Sequence, residues 1–325
     1  MEPLLNSFDT RLNCWQASNG DIFYKIGFNS IEILFSLKRK MDFMDKAGVQ
    51  AAFVAAGLSR LLKDIDFLAK DSIRLYTKLA GEYDLSIGAS RIGGVPDVPP
   101  DFKWPERNGV PQSFIAQLYL EEVHRYDTHG ALPTRGMLWF FYDAKQETYG
   151  ADPADRGGWR VLFSDDYSGL QRIAVPARLP AESQFKACSV SFASEVTLSQ
   201  SPQLDIPHFD WTDDEVHKYE TLLSTFPTPE DHGAVHHQLL GNPQTIQDDM
   251  RLECQLASHG VTDINDPRAQ ELSKGAKEWQ LLLQIDTDED IGMRWGDTGI
   301  IYYWQKASDL QKCDFDDAWL VLQSD

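Results

Sequence analysis

The side chains of this 325-residue chain best suited to chemistry stand at loop edges. Arg91, Asp152, Arg156 and Asp297, with Trp104, Trp159 and Trp295, all lie near Gly or Pro. A guanidinium, a carboxylate and an indole converging at a loop can line a small polar pocket. The same residue types can equally form an internal ion pair with Trp packing. Gln117 and Gln284 each stand inside an apolar run, and Gln255 lies in similar surroundings. A buried amide must be hydrogen-bonded, so these glutamines either bridge sheet backbone or face a cleft between two halves. His232 and His236 are spaced to share one helix face, with Asp231 or His237 as a further donor. They lack the rest of a zinc set, and no H-E-x-x-H is present, so a metal is not expected there. Asp286, Asp288, Asp290 and Asp297 have the spacing of calcium-loop ligands, but Ile291 stands where that loop needs Gly and Asp replaces its bidentate Glu. An acidic hairpin is the expected reading. There is no G-x-S-x-G, no Walker loop and no G-x-G-x-x-G ahead of a helix, so no nucleotide cofactor is expected. Cys254 and His259 are close in sequence, but that does not define a catalytic pair, and a buried thiol is expected.

These residues must be positioned by a mixture of strands and a few helices. Runs rich in β-branched and aromatic residues predict strands over 72–77, 85–92, 113–120, 136–143, 157–164, 185–198, 279–287, 298–306 and 318–323. Residues 21–28 and 31–37 read as short strands or a hairpin. Over 46–69, Val54, Leu58, Leu61, Ile65 and Leu68 recur at spacings of three and four, which predicts one amphipathic helix. Thr212 and Glu215 form a T-x-x-E capping box and start a second helix, ending before Pro227. A third is expected over 229–240, stopped by Gly241 and Pro243, and a fourth from Asp266-Pro267 to about Glu278. The proline-rich stretch 93–105 must be loop or sheet edge, because proline supplies no backbone donor.

Bulk composition narrows the partners. The formal net charge is −20. Residues 1–80 hold 9 acids and 11 bases, which leaves 41 acids and 19 bases for 81–325. Such a balance argues against nucleic acid and anionic membranes, and allows a basic partner. Four scattered cysteines, with no C-x-x-C, fit free thiols in a reducing compartment. No signal-peptide h-region and no apolar run long enough for a membrane span is apparent, so a cytoplasmic protein is expected.

Two segments run in parallel. Gly94-Val95-Pro96 precedes "FIAQLYL" and then "GMLWFFYDA"; Gly241-Asn242-Pro243 precedes "LLLQIDT" and then "GIIYYWQKA". Gly94 and Gly241 are offset by 147, Gln117 and Gln284 by 167, and Gly136 and Gly299 by 163. The order of parts predicts a duplicated sheet unit, with halves at about 71–200 and 205–325 after an N-terminal extension over 1–70.

The stretches "IGASRIGGVPDVPPDFKWP", "FIAQLYLEEV", "GMLWFFYD", "DRGGWRVLF", "HQLLGNPQTIQDDMRLECQLA", the long run from Asp266 to Leu310, and "AWLVLQ" keep one order across about 71–325. Together they resemble the YwqG-like family of bacterial proteins. The resemblance implies an α+β fold of duplicated, largely antiparallel sheet with a few flanking helices, and no established reaction. Relatives set among genes for secreted toxins imply an immunity-type or toxin-linked role. Two expectations follow. One is a non-catalytic protein that binds a basic or toxin-like protein partner. The other is a small-molecule binder or hydrolase using a cleft between the halves, with Arg91, Asp152, Arg156 and Asp297 as anchors.

Overall fold

The computed structural model describes residues 5–9, 14–17, 22–24, 46–226 and 234–324. His232 and the expected strand at 31–37 lie outside the described residues. Leu5–Asp9, Cys14–Ala17 and Ile22–Tyr24 form a three-stranded antiparallel sheet of their own.

The body is one ten-stranded antiparallel sheet. Its strands are β1 (Ala69–Leu79), β2 (Arg91–Ile92), β3 (Ser113–Tyr119), β4 (Met137–Tyr142), β5 (Trp159–Ser164), β6 (Cys188–Leu198), β7 (His237–Leu239), β8 (Trp279–Asp286), β9 (Ile300–Lys306) and β10 (Trp319–Gln323). Their order across the sheet is β5-β4-β3-β2-β6-β1-β7-β8-β9-β10. The fold is α+β, and the order is that of two equivalent halves. β1–β5 make one and β6–β10 the other, so Cys188–Leu198 leads the second half, where the expected boundary near 200–205 had left it in the first, and the leading strands β1 and β6 are exchanged at the centre. Each leading strand therefore pairs with the other half: β6 with β2, and β1 with β7.

The equivalence extends to single hydrogen bonds. Gln117 Oε1 accepts from the Asp97 N–H at 2.7 Å, and its Nε2 donates to the Ala89 carbonyl at 2.8 Å. Gln284 Oε1 accepts from the Gln244 N–H at 2.9 Å, and its Nε2 donates to the His236 carbonyl at 2.9 Å. Asp97 lies three residues after Gly94, and Gln244 three after Gly241. β3 carries a bulge at Ile115 and β8 one at Leu282. The bulged carbonyls accept from the Gly93 N–H at 2.8 Å and the Leu240 N–H at 3.3 Å. Gly93 and Gly94 take left-handed backbone at φ 67° and 71°, as do Leu240 and Gly241 at 58° and 75°. Leu240 meets that conformation without glycine's freedom, at a cost of about 1 kcal/mol. The Trp139 indole donates to the Asp97 carbonyl at 2.9 Å, and the Tyr302 hydroxyl to the Gln244 carbonyl at 2.5 Å.

β4 and β9 are buried along almost their whole length, which their continuous apolar runs dictate. The sheet curls until its edge strands meet. Trp159 and Trp319 stack edge to face with centroids 4.9 Å apart, and their indoles donate to the Ala318 and Gly150 carbonyls, each at 2.8 Å. The Leu322 N–H donates to the Tyr149 carbonyl at 3.0 Å, so neither edge is left as a bare template for another chain.

Three expected helices differ in the structure. The one over 46–69 breaks at Gly57, at φ 77°, into α1 (Lys46–Ala55), a 3-10 turn at Ser59–Asp64 and a last turn at Ile65–Leu68. Leu58, Leu61, Ile65 and Leu68 are buried, but Val54 points to solvent because the break rotates the stripe; Val49 and Phe53 pack instead. The described part of 229–240 is extended and ends in β7, because His237–Leu239 completes the sheet beside β1. His236 and His237 are therefore strand residues and not a helix end. The last helix is a short turn, Ala269–Leu272, running into 3-10 geometry over Ser273–Glu278. The expected strand at 85–92 shrinks to β2, the remainder being the turn that Gln117 grips. The capping box is present, with Thr212 Oγ1 accepting from the Glu215 N–H at 3.2 Å, and it starts α2 (Asp213–Leu223).

Candidate functional site

Comparing the halves separates side chains that hold the frame from side chains that do something else. The first half pins its Gly-x-Pro loop with charge. Arg91 and Asp97 are fully buried, 3.0 Å apart, and Arg91 also reaches Glu82 at 2.6 Å and the Val95 carbonyl at 3.1 Å. Arg172 adds a second guanidinium to Asp97 at 2.9 Å and also donates to the Glu82 carbonyl. Burial lowers the Arg91 pKa, and Asp97 opposes that shift. The second half pins the same loop with neutral groups. Gln238 stands where Arg91 stands, paired across from Gln284 as Arg91 is from Gln117, and it donates to the Asn242 carbonyl at 2.9 Å. Gln244 replaces Asp97. Thr197 Oγ1 accepts from the Asn242 N–H at 2.7 Å, the bond that Glu82 Oε2 takes from the Val95 N–H at 3.2 Å. Neutral groups thus hold the second loop where ions hold the first, and the charges of the first-half cluster are paired with one another around that loop.

The other candidates separate in space. Asp152 caps a 3-10 turn by accepting from the Ala154 N–H at 2.8 Å. Arg156 pairs with Asp317 at 3.1 Å and lies 5.0 Å over the Trp319 ring. With Trp159 it belongs to the seam where the sheet edges meet. Trp104 donates to the Gln112 carbonyl. Trp295 is fully buried between Tyr142 and Phe185, whereas Asp297 is exposed and meets Arg294 at 3.3 Å. The contacts of Arg91, Asp152, Arg156 and Asp297 run to different partners.

One polar cluster has no counterpart in the other half. His236 Nε2 meets Glu195 Oε1 at 3.0 Å; His236 Nδ1 faces the Arg74 guanidinium and the Gln244 amide at 3.1 Å. With Nδ1 accepting, the proton sits on Nε2 and is donated to Glu195. Ser72 also donates to Glu195 Oε1, at 3.3 Å. All four side chains are buried. The strand pairings set their mates. Ile73 faces Leu239 as Cys188 faces Ile92, so Ser72, Arg74, Glu195 and His236 correspond to Ala187, Ser189, Ala80 and Ala89. The contacts of Gly241 with Ser72 and Thr197, and of Gly94 with Ala187 and Glu82, fit the same correspondence. At the four equivalent positions, two in each half, the sheet forms without these side chains. A buried charge that the frame does not need carries a desolvation cost, and such costs are retained at functional sites.

Two members of the cluster, Ser72 and Glu195, floor a cleft of about 700 Å³. β1 and β6 form its base; α1, the 65–71 segment and the 126–131 loop form its walls. Ser72, Asp127 and Glu195 are buried polar groups of its lining, Val49, Ile65 and Val196 are among its buried apolar ones, and Lys46 and Lys70 line it as well. Sequence reasoning missed Ser72, Arg74 and Glu195. The available signal was Glu195 itself, the only charge between Ala187 and Leu198.

The second histidine is bound differently. His237 Nδ1 accepts from the Asp286 N–H at 3.1 Å, and its Nε2 faces Asp288 at 3.5 Å. The acidic hairpin thus packs on histidine, and among the described residues no three metal-ligating side chains cluster. The His237 hydrogen bond holds the Asp288 pKa below its ordinary 3.8, against the effect of burial. A depressed carboxylate stabilises fully above the ordinary value and loses that contribution as pH falls through the lower one. Burial lifts Asp286, which acts in the opposite sense. The stability difference between the parent and Asp288→Asn is therefore expected to shrink as pH drops below about 4, in urea midpoints taken at stepped pH.

Thiol chemistry is suppressed at Cys188 and Cys254. Burial pushes Cys188 up to about 11 and Cys254 further still. His259 Nδ1 turns to the Gln255 carbonyl at 2.7 Å and Ser258 at 3.1 Å. Brief alkylation at neutral pH, read by peptide mass spectrometry, should label exposed Cys313 and leave Cys188 and Cys254 unmodified until the chain unfolds.

No helix among the described residues is long and apolar enough to cross a membrane. No curated protein matches the chain. Residues 90–324 match the model of a family described as "Domain of unknown function (DUF1963)". The match opens just before β2 and runs to the end of β10; β1, which brings Ser72 and Arg74, precedes it. With most of its length under that match, the chain belongs to the DUF1963 family.

Proposed function

We propose that this protein is a non-catalytic binding protein, of the YwqG-like kind its motifs resemble, and that it takes a basic segment of a partner protein into the cleft over β1 and β6. The supporting observation is a buried carboxylate, Glu195, on the floor of that cleft, in a chain of net charge −20. A long-range acidic field draws a basic partner, and a desolvated carboxylate selects it. The buried thiols are held protonated, and the candidate ions at the loops meet separate partners: Arg91 the loop cluster, Arg156 the sheet seam, Asp152 its own turn and Asp297 the nearby Arg294. Toxin-associated, immunity-type binding is the biological setting that the motif resemblance favours.

Selection from a library of displayed linear peptides tests this reading. Enrichment of Lys- or Arg-containing peptides that compete for one site supports it. Enrichment of acidic peptides, or of none, overturns it, as does turnover of ester, amide or phosphoester substrates that Glu195→Ala abolishes.

A further inference from the structure

Glu195 is more than 90% buried, yet among the described residues only one of its oxygens meets a donor. Oε1 accepts from Ser72 and His236. Oε2 takes no donor among the described residues, and Glu195 lines the cleft. A buried carboxylate oxygen without a donor forgoes a hydrogen bond to a charged acceptor, so an open position of this kind fits a group that arrives from outside. His236 cannot swing to fill it, because its Nδ1 is engaged by Arg74 and Gln244.

We infer that the cleft is a subsite for a primary ammonium on an unbranched aliphatic stem, as in a lysine side chain, with Glu195 Oε2 as the anchor. This rests on the binding role proposed above and names the group recognised. Two observations select ammonium over guanidinium. A guanidinium is matched by two parallel carboxylate oxygens, whereas Glu195 presents one; an ammonium is a compact charge that one oxygen and nearby water can satisfy. Apolar side chains line the cleft at Val49, Ile65 and Val196, beside Lys70 and a Lys46 that is paired with Asp66 at 2.5 Å, and the Tyr126 carbonyl accepts from Ser194 at 3.3 Å. Apolar walls around a buried anion match a methylene chain that ends in a cation.

The experiment uses the full chain and three probes: N-acetyl-lysine methylamide, its arginine analogue and its neutral norleucine analogue, followed by two-dimensional NMR titration. Saturable shifts at Ser72, Glu195 and Val196 with the lysine probe, weaker ones with arginine and none with norleucine, are expected. Glu195→Gln should weaken the lysine probe roughly tenfold to a hundredfold, the worth of a hydrogen bond to a charged group. If Glu195→Gln does not fold, Glu195→Asp withdraws the carboxylate while keeping its charge and should weaken binding likewise. Equal binding of lysine and norleucine probes, or lysine binding unaffected by both variants, overturns the inference. If basic peptides are selected yet bind independently of Glu195, the subsite falls and the binding role stands. If the lysine probe binds through Glu195 while no basic peptide is selected, the subsite stands and the protein partner falls.

Discussion

Asp97→Asn is expected to destabilise the protein by about 3–5 kcal/mol, the usual cost of removing one member of a buried ion pair. Asp97 is the hub of its cluster. It faces the guanidiniums of Arg91 and Arg172, the Gly88 N–H at 2.9 Å and the Gln117 amide at 3.1 Å. Without its charge, fully buried Arg91 keeps only half-buried Glu82 as a counter-ion. The second half predicts the remedy. Replacing Glu82, Arg91 and Asp97 together by Thr, Gln and Gln installs the residues found at Thr197, Gln238 and Gln244. That triple variant should be more stable than Asp97→Asn alone, because replacing buried ions by neutral groups avoids an uncompensated charge. Urea unfolding midpoints of the three proteins check both statements.

Gln117→Leu and Gln284→Leu are each expected to cost about 2–4 kcal/mol, since each leaves a buried N–H and a buried carbonyl without a partner. The two losses should agree within about 1 kcal/mol, the first being slightly larger because Gln117 also donates to Asp97. Each amide ties a strand to both ends of its Gly-x-Pro turn, so hydrogen exchange should speed up locally at the Asp97 N–H in one variant and at the Gln244 N–H in the other. Unequal costs with one site unaffected would mean that the halves are alike in outline only.

The frame was legible in the sequence because its periodic features are local. The apolar runs of β4 and β9, the lone glutamines and the Gly-x-Pro turns keep their order in both copies. The strand β7, which stands where a helix was expected before Gly241, was not legible, since three residues completing a sheet beside a strand distant in sequence carry no periodicity of their own. The exchange of β1 and β6 is equally hidden, because it is a property of pairing between halves. The Arg91, Asp152, Arg156 and Asp297 set looked like a pocket because each stands at a loop edge; tertiary contacts give each a different partner. Glu195 and Ser72 come from separate strands and meet Arg74 and His236 only after that exchange, so no spacing announces them.

The central claim is that both halves share one frame and that the Glu195 cluster is an addition the frame does not need. A matched pair of isosteric charge removals tests it most directly, by urea unfolding of Asp97→Asn and Glu195→Gln side by side. Glu195 accepts from a hydroxyl and an imidazole and meets no guanidinium or ammonium among the described residues, so its change to Gln should cost at most about 1.5–3 kcal/mol, the scale of a hydrogen bond to a charged group, below the about 3–5 kcal/mol of Asp97→Asn. Equal large losses would make Glu195 part of the frame and contradict the account.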